Sequence, residues 1–94
     1  MAVLALTTLG GWVFTREVVG VAFGKVLREL REEKGLSQEE LAADAELDRT
    51  YPSLLERGKR TPSLTILFEI ACALDTSPQY LVIRTAMEID RMLN

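Results

Sequence analysis

The chain has 94 residues, 48% of them apolar and 27% charged, with a formal net charge of −3. That length makes one domain, able to bury a core without staples. A single cysteine excludes an internal disulfide and fits a reducing cytoplasm, and the lack of histidine leaves no convincing zinc site, so no metal and no cofactor is expected.

The first fourteen residues, MAVLALTTLGGWVF, are apolar, and the first basic residue is Arg16. The run lacks the positive start of a signal peptide and is too short to span a bilayer, so no membrane association is expected. Two β-prone pieces around Gly10 and Gly11 suit a hairpin; the segment equally suits an arm lying over a partner subunit. Residues 1–21 are therefore set apart as an N-terminal arm, and residues 22–94 as the domain proper.

From Thr15 the pattern turns helical, with Thr15 able to cap, although Gly20 and Gly24 weaken the case for one continuous helix. The clear part runs from Phe23 to Lys34. Phe23, Val26, Leu27 and Leu30 face inward, Gly35 closes the end, and Lys25, Arg28, Glu29, Glu32 and Glu33 form a solvated face. Ser37 with Glu40 makes a capping box that opens a second helix, with Leu41, Ala42 and Ala45 on its apolar stripe. Asp48 is the N-cap expected for a third, with Leu47, Tyr51, Leu54 and Leu55 as apolar positions and Gly58 as the left-handed terminator. Helix, short corner, helix is an arrangement whose second helix can enter a DNA major groove.

Thr61-Pro62-Ser63 starts a fourth helix with Pro in its first turn and a core stripe of Leu64, Leu67, Ile70, Ala71 and Leu74. Phe68 and Cys72 lie four apart on another face, and Cys72 reads as a small buried hydrophobe. Ser77-Pro78 starts the last helix, running to about Met92. Its apolar residues, from Tyr80 to Met92, cover more of its circumference than one small core can bury. This excess predicts a homodimer joined through the last helix.

SQEELAADA, LDRTY, LLERGKRTPSL and LFEIACAL, in that order, resemble the matching blocks of the Xre/Cro-type family of phage and bacterial repressors, over about Phe23 to Leu81. The resemblance implies an all-α, five-helix, lambda-repressor-like domain that works as a dimer on double-stranded DNA with a two-fold operator. It implies that Arg49, Thr50 and Ser53 reach base edges and that Leu54 touches a thymine methyl. Gln38, Tyr51, Arg57, Lys59 and Arg60 are implied as backbone contacts. Arg31 and Glu56 are implied as a structural ion pair tying the first helix to the third. Two positions depart from the family pattern: Glu46 stands at the corner usually held by Gly, and Pro52 where an apolar β-branched residue usually follows the Tyr. With Asp48 as cap, Pro52 removes only the first intrahelical bond, and a tighter first turn is expected.

The net negative charge weighs mildly against DNA. Its distribution does not: from Leu47 to Arg60, four basic residues face two acidic ones, a basic rim on an acidic body. No nucleophile–base pair, Gly-rich phosphate loop or metal-ligand cluster is present in the sequence, so no enzyme is expected. The expected function is a sequence-specific transcriptional regulator, a repressor or a restriction–modification-type controller. The alternative is a protein-interaction module or antitoxin on the same scaffold, with a toxin or other protein as partner.

Overall fold

A computed structural model describes residues 7–9 and 12–93. Two short strands, β1 (Thr7–Leu9) and β2 (Trp12–Phe14), pair antiparallel with Thr7 opposite Phe14 and Leu9 opposite Trp12. Five helices follow: α1 (Arg16–Glu33), α2 (Gln38–Asp44), α3 (Tyr51–Glu56), α4 (Leu64–Ala73) and α5 (Pro78–Leu93). The body is thus all-α, preceded by a two-stranded ribbon whose second strand lies against α5. Gly10 and Gly11, where the turn was expected, are outside the described residues. Among the described residues no single helix is long and apolar enough to cross a membrane.

Long α1 is the spine, packing along α5 on one side and against α3 on another. Phe23 and Leu27 of α1, Leu41 of α2, Leu55 of α3, Leu67, Ile70 and Leu74 around α4, and Leu81 of α5 meet in one buried cluster. Thr15 starts α1, its hydroxyl accepting from Val18 N at 3.1 Å. The helix then runs unbroken through Gly20 and Gly24 to Glu33, so the arm–domain boundary expected at 21/22 falls inside a helix. The glycines are there for packing. A Cβ on Gly24 would lie 2.5 Å from the Leu55 carbonyl oxygen and 2.7 Å from that of Glu56. The missing side chain lets the backbone of α1 touch the end of α3.

Each of the first four helices ends in the same way. The N–H two residues past the C-cap returns to the last turn, as in Leu36 N to Arg31 O (3.1 Å) and Leu47 N to Ala42 O (2.8 Å). This ending needs a left-handed residue, supplied by Gly35, Glu46, Gly58 and Asp75 at φ of 77°, 57°, 72° and 60°. Glu46 therefore does adopt the strained corner, at about 1–2 kcal/mol relative to Gly. Three expectations about α4 are corrected. Pro62 precedes the cap, Ser63, whose hydroxyl accepts from Ile66 N at 3.1 Å. Leu64, assigned to the core stripe, is 71% exposed. Cys72, expected to be buried, is exposed. Apolar residues occupy so much of α4 that periodicity alone does not place its inner face.

Candidate nucleic-acid interface

The corner between α2 and α3 is built from local hydrogen bonds. Ser37 and Glu40 exchange the two bonds of a capping box at 2.8 and 3.0 Å, fixing the start of α2. After Glu46 the chain makes one tight turn before α3, with Tyr51 N donating to Asp48 O at 3.0 Å. Pro52, buried in the first turn of α3, would otherwise have left that carbonyl without a donor. Asp48 caps this tight turn rather than a regular helix, which begins only at Tyr51. Its carboxylate accepts from Thr50 N at 3.1 Å and from the Thr50 hydroxyl. Those two bonds, helped by the charge of Arg49, hold the Asp48 carboxyl below its ordinary range.

Behind the corner stands an ion pair. Arg31 Nε and Nη2 donate to the two carboxylate oxygens of Glu56 at 2.6 and 3.1 Å. The side chains are 11% and 4% exposed. The Glu56 bond is the main reason the Arg31 guanidinium is held even more firmly charged than usual. Arg31 Nη1 also reaches the Leu36 carbonyl at 2.7 Å, in the link between α1 and α2. Gln38 Nε2 donates to Glu56 Oε1 at 3.0 Å. One carboxylate thus ties together the end of α1, the start of α2 and the end of α3.

On the outer side, a hollow of about 630 Å³ between the first turn of α2 and α3 gathers Gln38, Arg49, Thr50, Ser53, Leu54 and Arg57. Arg49 is 80% exposed there, and its Nε lies 3.4 Å from Glu39 Oε2. Arg57 is exposed, its Nε donating to the Ser53 carbonyl at 3.3 Å. Ser53 and Leu54 are half-buried. Two residues expected to reach DNA already have partners: the Gln38 amide is bonded to Glu56, and the Thr50 hydroxyl is turned back onto Asp48. Tyr51 is half-buried and packed against the core.

Lys59 and Arg60 lie apart from this hollow. Both are exposed, and they line a second hollow of about 690 Å³ beyond α3 with Gly58 and with Arg16 and Glu17 from the start of α1. Arg16 was not foreseen as a member of this basic cluster. The Thr15 cap, which places Arg16 at the first position of α1, was its only local signal. Glu39 was not foreseen either, because its nearness to Arg49 depends on how two helices meet. Among the described residues no group of three or more Cys, Asp or Glu side chains is arranged to hold a metal ion.

A short capped helix, a left-handed corner and a second short helix flanked by the exposed Arg49 and Arg57, over a buried brace, form a helix-turn-helix, and residues 27–81 match the model of the helix-turn-helix family. The chain belongs to that family. It is 44% identical over 70 residues, covering 74% of this chain and 86% of the relative, to the HTH-type transcriptional regulator y4dJ of Sinorhizobium fredii. The helix-turn-helix body also matches the crystal structure of the restriction–modification controller protein C.AhdI from Aeromonas hydrophila. There the identity is 52%, the TM-score 0.63, and the coverage 65% of this chain and 92% of that one. A third match is the restriction–modification controller protein C.Esp1396I, crystallised as a tetramer in complex with its natural 35 base-pair operator. Its identity is 34% and its TM-score 0.68, over 76% of this chain and 93% of that one.

Proposed function

We infer that this chain is a sequence-specific DNA-binding transcriptional regulator, working in the cytoplasm as a homodimer on a two-fold operator, and of the controller or repressor kind rather than an enzyme. The observation that carries the reading is the hollow in which Arg49, Ser53, Leu54 and Arg57 converge on one exposed face, braced from behind by Arg31 and Glu56. The likeness to controller proteins, one of them crystallised on its operator, supports it.

In this reading α3 enters the major groove. The guanidinium of Arg49 meets guanine O6 and N7, and Leu54 meets a thymine methyl. Ser53 is a second base-edge contact, and Thr50 offers a base only the acceptor side of its hydroxyl. Arg57, Lys59 and Arg60, joined by Arg16, meet phosphates, which look alike at every base pair. Gln38 and Tyr51 contribute to backbone contact from bodies that also serve the fold. The dimer forms through the exposed apolar face of α5, where Tyr80, Ile83 and Met87 are 40%, 55% and 62% exposed.

A gel shift on random duplex at low salt, followed by selection from a randomised duplex library, tests the reading. A DNA regulator binds the random duplex weakly and enriches a two-fold sequence. A pure interaction module enriches none.

A further inference from the structure

A carboxylate sits where this protein would meet phosphates. Glu39 is the second residue of α2, 69% exposed, in the same hollow as Arg49. Negative charge on a DNA-facing surface works against binding, and an exposed ion pair contributes little to folding. The first turn of α2 favours a carboxylate through the helix dipole, and Glu40 in the same turn shares that benefit. What sets Glu39 apart is its contact with Arg49.

The closest approach, 3.4 Å, is to Arg49 Nε. Nε is the side of the guanidinium, whereas a fork onto guanine uses the two terminal nitrogens. The other nearby carboxylate, Asp48, feels the charge of Arg49 but makes its hydrogen bonds, both through Oδ2, to the backbone N–H and hydroxyl of Thr50. The geometry points to Glu39 as the positioning residue for Arg49. It holds the guanidinium by its side and leaves the terminal nitrogens to a base. While the chain is off its operator, the same carboxylate screens the charge of Arg49 from phosphates of random sequence. Sequence preference is thereby raised at both ends: the specific contact is pre-oriented, and the non-specific one is weakened. This inference rests on the proposal that Arg49 reads DNA.

The test compares the unaltered chain, Glu39→Ala, Arg49→Ala and the double variant, each as the full chain with its melting temperature checked. Each is titrated with the selected operator, with the same operator changed at the base pair read by Arg49, and with random duplex. Glu39→Ala is expected to reduce discrimination at that pair about fivefold, the lower end of what one arginine–guanine fork supplies, and to bind random duplex more tightly. In the Arg49→Ala background the same change should alter discrimination no further. An unaltered chain that selects no sequence overturns the DNA reading and this inference with it. If the chain selects a sequence but Glu39→Ala discriminates as well as the unaltered chain, only the role of Glu39 is overturned. Equal losses in the presence and absence of Arg49 also overturn it.

Discussion

Arg31 and Glu56 meet through two hydrogen bonds, 2.6 and 3.1 Å long, between the last turn of α1 and the last residue of α3. Because Gln38 and the Leu36 carbonyl join the same group, the pair sets the angle at which α3 leaves the body. Removing one partner strands a buried charge. Arg31→Ala is therefore expected to cost about 3–5 kcal/mol. At roughly 4–8 °C per kcal/mol for a domain this size, a melting curve resolves the loss easily. An unchanged melting temperature contradicts the structural role.

Gly24 and Gly20 should respond differently to alanine. At Gly24 the new Cβ meets backbone oxygen at 2.5 Å, and backbone cannot turn aside. At Gly20 the nearest atom, the Gly58 oxygen, is 3.3 Å away. Gly24→Ala should destabilise by about 1–3 kcal/mol, the usual range for overpacking, and Gly20→Ala by less. Urea unfolding of the two variants checks the order; equal or reversed midpoints go against it.

Glu46→Gly should stabilise the chain, by up to about 1–2 kcal/mol, because the left-handed corner is strained for Glu and not for Gly. Thermal unfolding reads this directly, and a lowered melting temperature would reject the strain argument.

Much of the corner was legible because its determinants are local. Ser37 and Glu40 are three residues apart and need only each other, and Gly35 and Gly58 mark helix ends by the backbone conformation they permit. The continuity of α1 was not legible. Gly20 and Gly24 were weighed by helix propensity, whereas their placement is decided by carbonyls more than thirty residues away. Leu64 and Cys72 were misplaced because an apolar stripe wider than the core leaves its centre undefined. The contact of Arg49 with Glu39 on the preceding helix was not legible either, because it depends on how two helices meet rather than on neighbours in sequence.

Acid should loosen the fold. The carboxyl of Asp48 is lowered by its bonds from Thr50, and that of Glu88 chiefly by its bond from Arg91, then by Lys25 on α1 at 3.2 Å. A carboxyl lowered in the folded state stabilises above its unfolded value, and that contribution is lost as pH falls through the folded one. The melting temperature should therefore drop as pH falls through and below about 4. Asp48→Asn and Glu88→Gln should each flatten part of that slope. Slopes unchanged in both variants contradict the assignment.

The exposed apolar face of α5 predicts association. Sedimentation at micromolar concentration should show a dimer, and Ile83→Glu with Met87→Glu should leave a folded monomer. Because both positions are on the surface, each change should move the monomer's stability by no more than about 0.5 kcal/mol. An unaltered chain that sediments only as monomer defeats the dimer. Dimerisation that survives deletion of residues 1–14 removes the N-terminal segment from the interface.

The central claim is that Arg49 reads sequence while Lys59 and Arg60 supply general affinity. The most direct measurement is operator selection and salt-dependent binding for Arg49→Ala beside the double variant Lys59→Ala with Arg60→Ala. Arg49→Ala should flatten preference at one symmetric pair of positions, in half-sites about one helical turn (~34 Å) apart, at about 1–3 kcal/mol of discrimination. The double variant should weaken every site together and lower the salt slope by roughly 1 for each lost phosphate contact. If Arg49→Ala instead keeps the full sequence preference and loses only overall affinity, Arg49 is a phosphate anchor and the account of this interface is wrong.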